Sequence, residues 1–228
     1  YDDGKSTGEI RKFFGMLGPS DIRKVQELML PRDDVDYHKN LKLFQYRFPL
    51  DIERSEVLPQ LQAFADKTRE DIVDISIASA KVREILQIFV GEFLSGLDII
   101  ERVNNEYFDF SDCSIMNCIY AGAFLACNRN IEQATISIDR LFKLRGTVLP
   151  TSIEDKKLVA QRENGQILYS EAEIVELRSN VRVERIYLLD KNLNKANFEL
   201  LDDSEKRYYL QRHNCYVGIS SGVKRSEE

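Results

Sequence analysis

Ser114-Ile115-Met116-Asn117-Cys118-Ile119-Tyr120-Ala121-Gly122-Ala123-Phe124-Leu125-Ala126-Cys127 is the stretch on which the fold turns. It is apolar nearly all round, and Ala121, Gly122, Ala123 and Ala126 keep it slim. A helix without a polar face belongs at the centre of a fold, packed on several sides. Its near-apolar run, Cys118 to Cys127, is about half the roughly 20 residues that cross a bilayer, so it reads as a core helix. Amphipathic stripes lie on either side of it. Ile131, Ala134, Ile138, Leu141 and Phe142 follow at helical spacing. Before it, Leu58, Leu61, Phe64 and Ala65 form one face, and Val82, Ile85, Leu86, Phe89 and Phe93 another, so residues 49–102 read as mostly helical.

Toward the start, Ser6-Thr7-Gly8-Glu9 has the capping-box form and predicts a short helix through Phe13-Phe14 that stops near Gly15. Gly18-Pro19-Ser20-Asp21 supplies a turn and a second N-cap, followed by Ile22, Val25 and Leu28 on one helical face. Leu41, Phe44 and Phe48 continue the pattern. It changes at Gly146. Thr147-Val148-Leu149-Pro150 reads as a strand. Lys157 to Arg162, Asn164-Gly165 and Gln166 to Tyr169 read as a hairpin with a type I′ turn, and Val183 to Leu189 as a buried strand. Periodicity alone therefore gives a mixed α and β protein. A single domain over residues 1–228 is expected, with the strand and hairpin at 147–175 inside it and a frayed tail at 222–228.

The 228 residues carry Lys+Arg 32 against Asp+Glu 38, a net charge of −6. This argues against nucleic-acid or anionic-membrane partners, which need a cationic face. Cys113, Cys118, Cys127 and Cys215 match no zinc spacing and read as reduced core residues. Neither His38 nor His213 has ligand-type neighbours, and no nucleophile elbow is visible. No leader or membrane span is visible, so a cytoplasmic location is expected. The chain opens at Tyr1 without a Met, and a partial record of a longer protein is the expectation.

Three polar clusters remain as candidate chemistry. In Asp2-Asp3-Gly4-Lys5-Ser6-Thr7-Gly8 the glycines admit close ligand approach, and the hydroxyls precede a helix start that favours anions. Asp2 and Asp3 would repel a phosphate, so they suit sugar hydroxyls or a bridging Mg²⁺. A capped turn with a solvated acidic edge is the plain alternative. In Gly18 to Arg23, a Pro turn can aim Asp21 and Arg23 at the same cleft; an N-cap with surface charge is the alternative. In Ser111 to Asn117, polar residues open a helix too apolar for a surface. Its free N–H groups call either for ordinary caps or for an anion.

These clusters occur in order with Leu43-Phe44-Gln45-Tyr46-Arg47-Phe48, Arg145-Gly146-Thr147-Val148-Leu149-Pro150, the Glu163-Asn164-Gly165 hairpin and Ser170-Glu171-Ala172-Glu173-Ile174. The set resembles the CofD-like superfamily over roughly residues 1–190. That superfamily holds the 2-phospho-L-lactate transferases and the YvcK-like gluconeogenesis factors. The resemblance implies a Rossmann-like three-layer α/β fold with a mostly parallel sheet, a helix-rich middle section and an added β-hairpin. Asp2, Asp3, Gly4, Ser6, Thr7 and Gly8 match the family's acidic Gly-rich loop; Gly18, Pro19, Asp21 and Arg23 its Pro turn; Ser114 and Asn117 its helix start. Lys5 and Ser20 replace glycines of the pattern, and Cys113 and Met116 its His and Gly. The family's first strand and Gly-rich loop do not precede Tyr1, and its Pro-Gly-Ser segment does not follow Leu189.

The loop form is nearer the YvcK-like branch. The implied function is binding of a nucleotide or nucleotide-sugar, regulatory in carbon metabolism or cell-envelope control. Asp2 and Asp3 would take sugar or Mg²⁺; Ser6, Thr7 and Gly8 would take phosphate; Asp21, Arg23, Ser114 and Asn117 would complete the site. No tightly bound organic cofactor is expected, and a homodimer is. The competing readings are a transferase that moves a phosphate-linked group from a nucleotide diphosphate donor, and a degenerate scaffold that binds no ligand.

Overall fold

Helices occupy the first two thirds of the chain. In order they are α1 (Lys5–Phe14), α2 (Ser20–Met29), α3 (Tyr37–Gln45), α4 (Arg54–Ala65), α5 (Ala80–Asn104), α6 (Ile115–Ala126) and α7 (Ile131–Leu141). Strands β1 (Lys157–Arg162), β2 (Ile167–Leu168) and β3 (Val183–Leu189) follow, then α8 (Lys195–Glu199) and α9 (Asp203–His213). The computed structural model describes residues 5–77, 79–150, 156–170, 173–174, 180–190 and 193–214. They fall into two compact units, one over residues 5–150 and the other over residues 156–214.

In the first unit α6 is the centre the composition demanded: every residue from Ile115 to Phe124 is buried. Gly122 explains how α5 comes so close. A Cβ placed there would overlap the Phe89 carbonyl, 2.6 Å from its carbon and 3.1 Å from the Phe89 Cα. Around this pair, Phe13, Phe93, Phe108 and Phe110 pack edge to face, with Phe108 and Phe110 centroids 4.9 Å apart. Ser79 caps α5 by accepting from the Val82 N–H at 3.4 Å. Cys113, Cys118 and Cys127 are thiols, the first two buried, in line with core cysteines.

Several local expectations are corrected. Ser6 is not the residue before the helix, since α1 already begins at Lys5, and the Thr7 hydroxyl hydrogen-bonds Ser20. The predicted stop does occur, with Gly15 at φ +60°. Helix α2 is turned the other way round from the sequence reading. Its buried residues are Ser20, Arg23 and Gln26, while Val25 and Leu28 are exposed. Partners for the polar face, described below, decide this orientation. Thr147–Pro150 is not a strand: the Val148 N–H goes to Asp139 Oδ2 at 2.9 Å, and Pro150 has no N–H to offer a ladder.

In the second unit the hairpin forms, with the register Ala160↔Leu168 and Gln161↔Ile167. Its turn differs from type I′. Gly165 has φ +85° and Asn164 is not left-handed; Gly165 N–H bonds Arg162 O and Arg162 N–H bonds Gln166 O, each at 2.9 Å. That is a three-residue loop with glycine in the left-handed position. Strand β1 lies between β2 and β3 and is antiparallel to both. Strand β3 is on the edge rather than buried: Tyr187 and Leu189 face the core, while Val183 and Ile186 are exposed. Val159, Tyr187, Leu189, Phe198 and Leu210 make the small core. The chain is thus a mixed helix and sheet protein. A mostly parallel sheet is not found among the described residues, since a short hairpin loop joins only antiparallel neighbours. No described helix is long and apolar enough to cross a membrane. The tail at 222–228 lies outside the described residues.

Helix α9 carries a capping box the sequence reading passed over: Asp202 accepts from the Ser204 and Glu205 N–H groups at 2.8 Å, and Glu205 reaches back to the Asp202 N–H at 2.9 Å. The Glu205 backbone N–H, then the Ser204 hydroxyl, hold the Asp202 carboxyl below its ordinary 3.8. A depressed folded pKa adds stability above the unfolded value and loses it as pH falls through the folded one. Asp202→Ala should therefore lower the urea midpoint at neutral pH, and the difference from wild type should shrink as pH drops below 3.8. A difference that stays constant with pH would exclude a role for the carboxylate charge.

Candidate functional site

Helix starts supply unsatisfied N–H groups, and three of them come together in the first unit. Thr7, in the first turn of α1, hydrogen-bonds Ser20 at the start of α2. One turn on, Arg23 donates from Nη1 to the Phe44 carbonyl at 2.7 Å, near the end of α3. The chain leaving α3 then pairs with the start of α6. Ile115 N–H bonds Tyr46 O at 3.3 Å, Phe48 N–H bonds Cys113 O at 2.9 Å, and Arg47 bridges to Ser114. Helix α1 also packs on α6. Thr7, Ser20, Arg23, Ser114 and Asn117 are all buried here. Buried hydroxyls, a guanidinium and helix-start N–H groups are the group types suited to holding an anion.

The remaining sequence candidates divide. Asp21 is in the first turn of α2 but exposed, outside this buried group. Gly8 lies in α1, half-buried, and Ser6 is a backbone member of the same helix. Asp2, Asp3 and Gly4 lie outside the described residues. No group of three His, Cys, Asp or Glu side chains able to hold a metal occurs among the described residues. The substituted positions are accommodated locally. Met116 is buried in the core, and Cys113 lies with its sulfur 3.8 Å from that of Cys118. Burial pushes the Cys118 thiol well above its usual range, which keeps it protonated and unreactive. Just before α6, Asp112 takes φ 54°, a left-handed conformation Asp tolerates, and pairs with Arg47 at 3.2 Å.

Behind the site lies a polar network that sequence reading missed. Gln26 Nε2 donates to Asp139 Oδ1 at 2.6 Å and to the Thr135 carbonyl at 3.4 Å, while Gln26 Oε1 accepts from the Tyr120 hydroxyl. Burial raises the Tyr120 phenol well above its usual value, and Asp139 adds to the effect. Burial also raises the Asp139 carboxyl, against the hydrogen bonds from Gln26 and Val148 N–H that favour its charged form. The only sequence signal was the polar spacing Ser20, Arg23, Gln26 on one helical face. A different cleft, of about 650 Å³, runs along α4 and α5, where Glu101 pairs with Arg54 and accepts from the Phe108 N–H. None of the sequence-predicted site residues lines it.

The family model described as 2-phospho-L-lactate transferase CofD matches residues 1–203. The chain belongs to the CofD family. The CofD match spans every site residue named above, and the resemblance drawn from the motifs holds at the level of the CofD-like superfamily. Two crystal structures of the UPF0052-family protein BH3568 from Bacillus halodurans are similar to this CofD chain. They have 19% and 20% identity and TM-scores of 0.48 and 0.49. Each match covers 87% of this chain, which spans 44% of the length of that protein. No curated protein matches the chain.

Proposed function

We propose that this CofD-family chain binds a nucleotide or nucleotide-sugar, with the diphosphate at the junction of α1, α2 and α6. The observations that carry the reading are the burial of Thr7, Arg23, Ser114 and Asn117 and the hydrogen bonds that link α1 to α2, α2 to α3 and the chain leaving α3 to the start of α6. A buried guanidinium beside hydroxyls and helix N–H groups favours a phosphate over a neutral ligand. Asp2 and Asp3 would face the sugar or a Mg²⁺ ion at the same loop. The loop form favours the YvcK-like, gluconeogenesis-factor branch, and with it a Rossmann-like parallel sheet in the whole protein, a cytoplasmic location and a regulatory role, as a homodimer. A second reading is favoured by the description of the matching family: a transferase that moves a phosphate-linked group from a nucleotide diphosphate donor to an acceptor. Its chemistry would be positioning and charge stabilisation at the same junction.

Thermal melting with GDP, UDP and a UDP-sugar, each with and without Mg²⁺, separates the possibilities. Binding at 100 times Kd should stabilise the chain by about 2.7 kcal/mol. Asp3→Ala should abolish the shift while leaving the apo midpoint in place. Release of free nucleoside monophosphate from a diphosphate donor would establish the transferase. No shift with any nucleotide would overturn both readings and leave the scaffold.

A further inference from the structure

Resting on the ligand site just proposed, we infer that Gln26 and Tyr120 are positioning residues for it. Their buried network holds Arg23 on α2 in register with the Ser114–Asn117 start of α6. The geometry is specific. Gln26 follows Arg23 by one turn of α2, and Tyr120 follows Asn117 by one turn of α6. The Gln26 amide meets Asp139 and the Thr135 carbonyl through its nitrogen, and Tyr120 through its oxygen. Two acceptors on one side and a hydroxyl donor on the other leave the amide a single orientation. Asp139 is fixed in turn by the Val148 N–H, at 2.9 Å, and Thr135 by its own bond to Ile131 O, at 2.8 Å.

Helix α2 buries chiefly polar side chains. The residues it buries are Ser20, Arg23 and Gln26, whereas Val25 and Leu28 lie on its solvent side. Ile22 packs partly buried against the core and Leu30 is buried just past the helix end, and the polar contacts of Arg23 and Gln26 act beside them. A fully satisfied polar network in a core rigidifies it and can specify one arrangement. The arrangement specified here puts Arg23 beside the chain that leaves α3, which pairs with the first residues of α6.

The test titrates GDP and UDP, with Mg²⁺, into wild type, Tyr120→Phe, Gln26→Met and the control Ile138→Val. Calorimetry is run well below the lowest apo melting midpoint. Ile138 is buried on α7 next to Asp139, and its trimming leaves every hydrogen bond of the network intact. Tyr120→Phe and Gln26→Met should each weaken nucleotide binding about tenfold, whereas Ile138→Val should stay within about twofold of wild type. Unchanged affinity in both network variants would overturn the positioning role and leave the proposed function standing. So would an equal loss in Ile138→Val, which would show that softening the core is enough. If Gln26→Met does not fold, Tyr120→Phe, which removes a single oxygen, decides. Failure of the wild type to bind either nucleotide would overturn the proposed function itself, and the positioning role with it.

Discussion

Gly122→Ala is expected to be among the most damaging single substitutions in the chain, lowering stability by about 3 kcal/mol or more. The added carbon would sit 2.6 Å from the Phe89 carbonyl carbon and 3.1 Å from its Cα. Both are backbone atoms of α5, so no side chain can rotate away. Relief requires α5 and α6 to separate, which opens voids along the most buried helix of the first unit. Against a total of about 5–15 kcal/mol for an ordinary domain, that loss should be visible as a large drop in the urea midpoint. Gly91→Ala is the matched control. It lies within the same α5, and a Cβ there would find only the Ala65 Cβ, at 3.9 Å. Helix propensity should then make it neutral or stabilising by about 0.5–1 kcal/mol. Equal behaviour of the two variants would show that close approach at Gly122 does not limit the packing.

Arg23→Ala is expected to remove nucleotide binding and to cost about 2 kcal/mol of stability, because the Phe44 carbonyl loses a charged donor in a buried place. The more informative variant is Arg23→Lys. It keeps the charge but not the planar fork that can serve a carbonyl and a phosphate together. Its melting midpoint should stay closer to wild type while nucleotide affinity falls by on the order of 30-fold or more. Wild-type affinity in Arg23→Lys would reduce Arg23 to a structural tie between α2 and α3.

Where local pattern and tertiary need coincide, the sequence was readable. The Ser114–Cys127 run has no polar face, and it became the central helix α6. Asn164-Gly165 announced a hairpin, although glycine alone took the left-handed conformation. Helix α2 went wrong for the opposite reason: its apolar stripe at Ile22, Val25 and Leu28 was genuine as a pattern. Arg23 and Gln26 nevertheless found buried partners on α3, α6 and α7, and no spacing rule sees those. Val183 to Leu189 looked buried because its second half, Ile186 to Leu189, is apolar, but as an edge strand it covers the small core with one face only. The same division runs through the site. Thr7, Arg23, Ser114 and Asn117, candidates for the proposed site, stood out because they lie at or near helix starts within ordered motifs. Gln26, Tyr120 and Asp139 were not, since each is an unremarkable helix residue until the helices meet.

The close contact of α5 with α6 also bears on how the chain reaches this structure. The two helices are neighbours in sequence, joined by a short connection through Phe108 and Phe110, which pack into the same aromatic cluster. Closing so short a segment costs little chain entropy, and contacts of this kind favour rapid assembly. The helical hairpin around Gly122 can therefore gather from one continuous piece of chain. Helix α2, whose partners on α6 and α7 lie far along the sequence, closes much longer loops and pays more chain entropy for its contacts.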